Sequence, residues 1–343
     1  MRIVITGATG NVGSSTVRAL SADSATESLL CLARRTPDWE VPKAEWRTAD
    51  ITETDLVPLL RGADAVIHLA WAFQPTHDPA ATWRTNVLGG VRVFEATAAA
   101  GVPALVYASS VGAYSPGPKD RPVDESWPTD GWPGAAYTRE KAYLERVLDA
   151  FEPRHPECRV VRLRPGFIFQ REAAQEQRRI FGGPLVPNVD VRRLPAVPDI
   201  PGLRFQAVGA ADVAEAYRLA ALGDARGAFN IAADPPIGTP ELAALLDARP
   251  VRVPATLVRA AMAAGWHLNL VPASPGLFDA VLRLPIMDTA RARTELGWTP
   301  RQSATEAIGE FLTGLREGGG LATPPLADRT GGRVREFLTS RRP

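Results

Sequence analysis

Tyr137-Thr138-Arg139-Glu140-Lys141 sets a phenol and an ammonium four positions apart, so a helix carries both on one face. An ordinary tyrosine titrates near about 10, too high for efficient proton exchange at neutrality. A neighbouring ammonium favours the phenolate and lowers that value. The pair therefore reads as a general acid/base, Tyr137, tuned by Lys141. Ser109 and Ser110 follow an apolar run, Ala104–Ala108, and a hydroxyl there can hold the oxygen that the phenol protonates or deprotonates.

A second set of residues is suited to phosphate. Thr6-Gly7-Ala8-Thr9-Gly10-Asn11-Val12-Gly13 follows the first apolar run, Arg2–Thr6, and opens a helical stretch. Gly7 allows the tight turn, Gly10 lets backbone approach a pyrophosphate, and Gly13 lets the helix pack closely on the strand. The free N–H groups of that helix start, with its dipole, favour an anion. The spacing GxxGxxG is one residue longer than the usual dinucleotide fingerprint. The second strand ends in Ala33-Arg34-Arg35, where an acidic residue would grip the ribose of NAD. Guanidinium groups suit a 2′-phosphate, so NADP is the preferred cofactor and NAD remains possible. Asp50, after the third strand, can accept from the adenine amino group or cap a helix.

The elements that must position these groups alternate. Strands are expected at Arg2–Thr6, Leu29–Ala33, Ala44–Thr48, Ala65–Leu69, Ala104–Ala108 and Arg159–Arg164. Helices are expected at Val12–Ser21, Thr52–Leu60 (with Thr52 as N-cap), Ala80–Ala100 and Ala136–Phe151. Strand–helix alternation means an α/β fold with a doubly wound parallel sheet, covered on both faces. Residues 1–165 form this cofactor-binding domain, its sheet completed by later elements. Residues 166–317 form a smaller, mostly helical substrate domain. Its expected elements are helices at Ala211–Leu222, Pro240–Leu246, Thr256–His267, Thr289–Leu296 and Thr305–Arg316, and a strand at Ala228–Ala232. Residues 318–343, rich in glycine and proline, are expected to form a flexible tail.

Composition narrows the functions. The chain has 343 residues, 45% hydrophobic and 22% charged, with a formal charge of +1. That balance gives no electrostatic reason to expect nucleic acid or an anionic membrane. No run reaches the roughly 18 apolar residues of a membrane span, and the N-terminus lacks a signal-peptide core. Cys31 and Cys158 make neither a disulfide framework nor a metal spacing, which fits a reducing cytoplasm. Only three basic residues are lysines, a bias that a GC-rich bacterial genome would produce. His68, His77, His155 and His267 form no metal-ligand grouping, and no GxSxG elbow offers a hydrolase nucleophile.

Together these pieces resemble the extended short-chain dehydrogenase/reductase family, also called the NAD-dependent epimerase/dehydratase family, over most of residues 1–316. The resemblance rests on Thr6–Gly13, Asp50-Ile51, His68-Leu69-Ala70, Thr85-Asn86-Val87, Ser109-Ser110 with Tyr114, and Tyr137–Lys141. Arg164-Pro165, Ala211–Ala214 and Leu296–Pro300 extend it. It implies a Rossmann sheet and a catalytic triad of Ser110, Tyr137 and Lys141, with Ser110 preferred to Ser109 by motif position. It also implies cofactor contacts from Gly7, Thr9, Gly10, Asn11, Val12, Gly13, Asp50, Ile51, Leu69, Ala70, Asn86, Lys141 and Pro165, and a homodimer pairing the helices Ala80–Ala100 and Ala136–Phe151. Two departures narrow the chemistry. Sugar 4,6-dehydratases of the family carry Thr-Asp-Glu where this chain has Ser110-Val111-Gly112, so water elimination is disfavoured. Nucleotide-sugar members carry an Arg-Asp-Phe-like stretch near Arg204-Phe205-Gln206, where the acid is missing. Trp71, Phe73, Phe167 and Phe169, expected on loops around the site, suggest an apolar pocket. The expected function is an NAD(P)-dependent oxidoreductase acting on a small-molecule carbonyl or secondary alcohol. The alternatives are a nucleotide-sugar epimerase with tightly bound, recycled cofactor and a non-catalytic NADP sensor.

Overall fold

The computed structural model describes residues 1–74, 76–182 and 195–327. The strands β1 (Arg2–Thr6), β2 (Ser28–Ala33), β3 (Ala44–Thr48), β4 (Ala65–His68), β5 (Ala104–Ala108), β6 (Pro122–Val123) and β7 (Arg159–Pro165) come first. β8 (Phe167–Phe169), β9 (Ala196–Asp199), β10 (Ala207–Gly209), β11 (Gly227–Ile231), β12 (Arg249–Arg252) and β13 (Ile286–Met287) follow. Seven of them make one parallel sheet in the order β11-β7-β5-β4-β1-β2-β3. β11 lies beyond residue 165 and closes one edge, pairing Gly227–Ile231 with Val161–Pro165.

Runs of β-branched and aliphatic residues form the inner strands because both faces are covered, whereas the edge strand β3, Ala-Glu-Trp-Arg-Thr, has no buried residue. Side chains alternate along β1: Ile3 and Ile5 enter one core cluster and Val4 the other. Each fully buried aliphatic side chain contributes on the order of 1.5–3 kcal/mol. On one face lie α1 (Asn11–Ala22) and, from the later half, Ala210–Leu222, with Val17, Leu20, Ala216 and Ala220 fully buried. On the other face α2 (Val57–Leu60), α3 (Pro79–Trp83), α4 (Gly89–Ala99) and α5 (Ala136–Arg154) follow in chain order. Phe94 and Phe151, from α4 and α5, are buried there.

Three expectations about local structure are corrected. The stretch Thr52–Leu60 is helical only over Val57–Leu60. Thr52 does not cap it; its backbone N–H and hydroxyl both donate to Asp50 Oδ1, at 2.9 and 2.7 Å, and tie the chain into a turn. The long helix Ala80–Ala100 is instead α3, a π-helical turn at Arg84–Leu88, and α4. That wider turn carries Asn86, which is buried. Residues 318–327, expected to be part of a flexible tail, pack on the body: Thr323 and Leu326 are buried, and the Thr323 hydroxyl donates to the Thr9 carbonyl at 2.9 Å. Residues 328–343 of the expected tail lie outside the described residues.

The later half is assembled from short pieces. β8 pairs with β10, β9 with β12, and β6 with β13, each in parallel. Phe167 and Phe169, expected on a loop, thus belong to a strand, because Phe167–Phe169 lies in register with Ala207–Gly209. The helix Pro275–Val281 was not anticipated; Ser274 caps it by accepting from the Leu277 N–H at 3.3 Å. No helix among the described residues is long and apolar enough to cross a membrane.

Candidate active site

β1 delivers the glycine-rich turn to the carboxyl edge of the sheet. Gly7 has φ +70°, and a methyl there would lie 2.6 Å from the Ala70 backbone nitrogen. A methyl on Gly13 would lie 2.2 Å from the Gly7 carbonyl oxygen. Gly10 differs: its missing methyl would meet only the Gly7 oxygen, at 3.6 Å. Gly7 and Gly13 are thus demanded by the protein itself, whereas Gly10 keeps space open in front of the helix start. That open cradle before the N-terminus of α1 fits a diphosphate.

The rest of the expected cofactor surface is distributed around the cradle. Asn11 is held by Gln170, whose amide donates to the Asn11 side-chain and backbone oxygens, both at 2.8 Å. Val12 flanks it, half-buried, and Thr9 is buried under Thr323. Leu69 and Ala70 follow β4 beside Gly7, and Ile51 packs beneath Gly89. Arg34 and Arg35 are exposed at the end of β2 and make no ion pair or side-chain hydrogen bond among the described residues. Burial pushes the Asp50 carboxyl up, but the two Thr52 bonds and the charge of Arg34 outweigh it and hold it below its ordinary value. Pro165 ends β7, buried.

α5 and β5 bring the chemical groups together. Tyr137 Oη donates to Ser110 Oγ at 2.8 Å, and the Gly112 N–H donates to the same serine oxygen at 2.9 Å. Ser109 turns away and donates to the buried Glu145 carboxylate at 2.5 Å. Lys141 is buried one turn beyond Tyr137; its ammonium donates to the Ala108 carbonyl at 2.6 Å and lies 3.5 Å from the Trp71 ring centroid.

The electrostatics depart from expectation. Burial pushes the Tyr137 phenol up to about 12, against a downward pull from the Ser110 hydrogen bond. Burial lowers Lys141 to about 7, opposed by Glu140 and Glu145. The phenol is therefore held protonated, as a hydrogen-bond donor to the serine.

Asn86 has a definite place in the site. Its amide bridges both backbone groups of Ala72, at 2.7 and 2.9 Å, and donates to Glu140 Oε2 at 2.7 Å. Glu140, also buried, accepts from the Thr82 hydroxyl at 2.6 Å. Sequence reasoning passed over Glu140 and Thr82. Glu140 lies between the tyrosine and the lysine of the motif, and a carboxylate directly beside that lysine is the signal that marks it. The network fixes the 71–73 loop against the helix that carries Tyr137 and Lys141. Phe73 then stacks on Tyr137 (centroids 5.1 Å, 15° between planes), and Trp71 meets it edge-on at 5.6 Å. His68 is structural: buried, with Nδ1 2.7 Å from the Thr6 hydroxyl and its pKa lowered to about 3 by burial and Lys141. No group of three or more His, Cys, Asp or Glu among the described residues is placed to hold a metal ion.

A parallel doubly wound sheet, a glycine cradle on its first crossover and a Tyr–Lys pair at its carboxyl edge define a dinucleotide-dependent enzyme. Residues 3–181 match the NAD dependent epimerase/dehydratase family, and the chain belongs to it. The UDP-glucose 4-epimerase of Mycolicibacterium smegmatis is 28% identical over 92% of this chain and 99% of its own. The solved UDP-glucose 4-epimerase of Thermus thermophilus, in complex with NAD, aligns with TM-score 0.68 and 23% identity over 92% of this chain and 99% of that one. The Thermotoga maritima enzyme with UDP-glucose aligns with TM-score 0.68 and 20% identity over the same shares, 92% and 99%. The fold and family make this chain an enzyme of the extended short-chain dehydrogenase/reductase type.

Proposed function

We propose that the protein is an NAD(P)-dependent oxidoreductase that interconverts a carbonyl and a secondary alcohol. The observation that carries this reading is the 2.8 Å hydrogen bond from Tyr137 Oη to Ser110 Oγ, one helical turn from Lys141 and on the same sheet edge as the glycine cradle. The nicotinamide, when bound, supplies or accepts the hydride at the carbon. Ser110 holds the substrate oxygen. Tyr137 gives that oxygen its proton in reduction and takes it back in oxidation, so each ketone reduced consumes one hydride and one proton. Lys141 holds positive charge beside the ribose position and favours the phenolate once it forms. Gly10 and the first turn of α1 hold the diphosphate. Exposed Arg34 and Arg35 support a preference for NADP over NAD.

A homodimer is part of the reading. Leu88 (52% exposed) and Tyr143 (46% exposed) sit on adjacent elements, with the Trp83 ring tilted against Tyr143 at 4.9 Å, an apolar face suited to a second copy. A second catalytic reading is favoured by the Mycolicibacterium relative: redox-neutral epimerisation of a nucleotide sugar with the cofactor retained. Stoichiometry separates the two. Net consumption of NADPH or NADH supports the oxidoreductase, and turnover without net consumption supports the epimerase. Tyr137→Phe keeps the ring and removes the proton; turnover should fall by about 10²–10⁴-fold with cofactor affinity kept. A variant that keeps full turnover removes both readings.

A further inference from the structure

Beside Tyr137 lies a cleft of about 220 Å³ between residues 71–74 and Thr76, the start of α5 and the segment 266–277. Trp71, Phe73, Ile180, Phe181, Trp266 and Leu277 give it apolar walls. Most polar groups of those walls are used up among themselves; the exception is the Trp71 indole N–H, buried without a hydrogen-bond partner. Gln74 donates to the Ile180 carbonyl at 2.9 Å, the Trp266 indole N–H donates to the Thr76 hydroxyl at 3.1 Å, and that hydroxyl donates to the Pro272 carbonyl at 2.5 Å. His77 stacks on Trp266 at 4.2 Å and pins the same wall. The walls are therefore held in place before any ligand arrives.

Charge in the cleft is sparse. Among the described residues that line it, only Arg139 and Glu140 are charged. Arg139 is exposed and donates to the Pro133 carbonyl at 2.5 Å; Glu140 is committed to Asn86 and Thr82. A nucleoside diphosphate needs cations or free N–H groups to replace its water, and a buried anion without them is costly. Here it would meet aromatic rings, a carboxylate and a single cation, the exposed Arg139. An aryl or alkyl group would meet its own kind, with the Tyr137 phenol at one end of the cleft.

We propose that the substrate of this site is a compact apolar ketone, or the matching secondary alcohol, with an aryl or branched alkyl substituent and no nucleotide. The inference rests on the oxidoreductase reading above and deepens it. The reaction is balanced by the nicotinamide: the hydride goes to the carbonyl carbon, the Tyr137 proton to its oxygen, and one reduced cofactor is oxidised per ketone.

The test uses the full chain with NADPH and NADH, offered acetophenone, cyclohexyl methyl ketone and UDP-glucose as separate probes. The expected result is cofactor oxidation with at least one ketone and, by product analysis with either cofactor form, no conversion of UDP-glucose. Phe181→Ala should raise KM for that ketone by about tenfold while the cofactor dissociation constant holds. Should that variant not fold, the ketone must raise the melting temperature of the cofactor-loaded wild type, which UDP-glucose must not. Turnover of UDP-glucose overturns the substrate class and leaves the family chemistry standing. So does a protein that binds cofactor yet neither consumes nor is stabilised by either ketone. Failure to bind NADPH or NADH at all overturns the oxidoreductase reading itself, and the substrate class with it.

Discussion

Strand β1 and the helix Ala255–His267 mark two extremes of the molecule. Ile3, Val4 and Ile5 are fully buried, one face of the strand in each core. No residue of Ala255–His267 is buried, and Leu257 and, just past its end, Leu268 are 61% and 65% exposed. The first region is built from long-range backbone pairing and two filled cores, so its geometry is fixed by many contacts at once. The second is built from two-stranded ribbons and surface helices that meet the sheet through a few side chains. Cofactor binding needs the first kind of structure, because it depends on backbone held at set distances. Substrate choice draws on the second, where side chains can vary without disturbing the sheet.

That contrast can be broken most forcefully inside the sheet domain. Glu145 is fully buried and holds both Arg162 (2.9 Å) and Arg164 (2.9 Å). Glu145→Gln leaves the buried Arg164 guanidinium without a carboxylate partner, while Arg162 keeps Asp149 and Glu152, and should cost about 3–5 kcal/mol in urea denaturation. Burial raises the Glu145 carboxyl, but Arg164 and Arg162 outweigh that and bring it down from 4.5 to about 2. Its folded value lies below the unfolded one, so its stabilisation is complete above about pH 4.5 and lost as pH falls toward 2. The variant should show a flatter acid limb than the wild type. An unchanged urea midpoint would mean that the cores alone hold this half together. Gly13→Ala comes next: a methyl 2.2 Å from the Gly7 oxygen must push backbone, at about 1–3 kcal/mol. Fluorescence titration should show NADPH binding weakened as well. A variant with wild-type stability and affinity would show that the cradle is not under the constraint argued here.

The same contrast explains how much could be read from residues alone. Strands buried on both faces leave continuous β-branched runs, and Gly7 and Gly13 are forced by positive φ and close approach, so the sheet domain and its cradle were legible. Tyr137 and Lys141 fall together because their spacing is a helical one, and Ser110 joins them from the end of β5. What escaped depends on three-dimensional detail. Nothing in Ala80–Ala100 announces the π-turn at Arg84–Leu88, whose extra residue is stabilised by the bonds from Asn86 to Ala72 and Glu140. Lys141 was expected to lower the Tyr137 phenol; desolvation, invisible in sequence, shifts both groups the other way. Trp266 reaches the cleft wall from far along the chain through Thr76, a pairing that no periodicity encodes.

The finest test lies where the two regions meet. The Thr323 hydroxyl, buried, donates to the Thr9 carbonyl in the turn before α1, and so fastens the segment after residue 317 onto the glycine-rich turn. Thr323→Val keeps the shape and removes one hydrogen bond, at about 0.5–1.5 kcal/mol. Thr26 is the matched control: it is equally buried, but its hydroxyl has no hydrogen-bond partner. Thr26→Val removes a polar atom that was already unsatisfied and should be neutral or stabilising. Scanning calorimetry of both variants, with and without NADPH, checks the pair. Thr323→Val should melt lower than Thr26→Val by roughly 2 °C. Equal melting temperatures would mean that residues 318–327 only rest on the loop, and that this hydrogen bond adds nothing to the joining of the two regions.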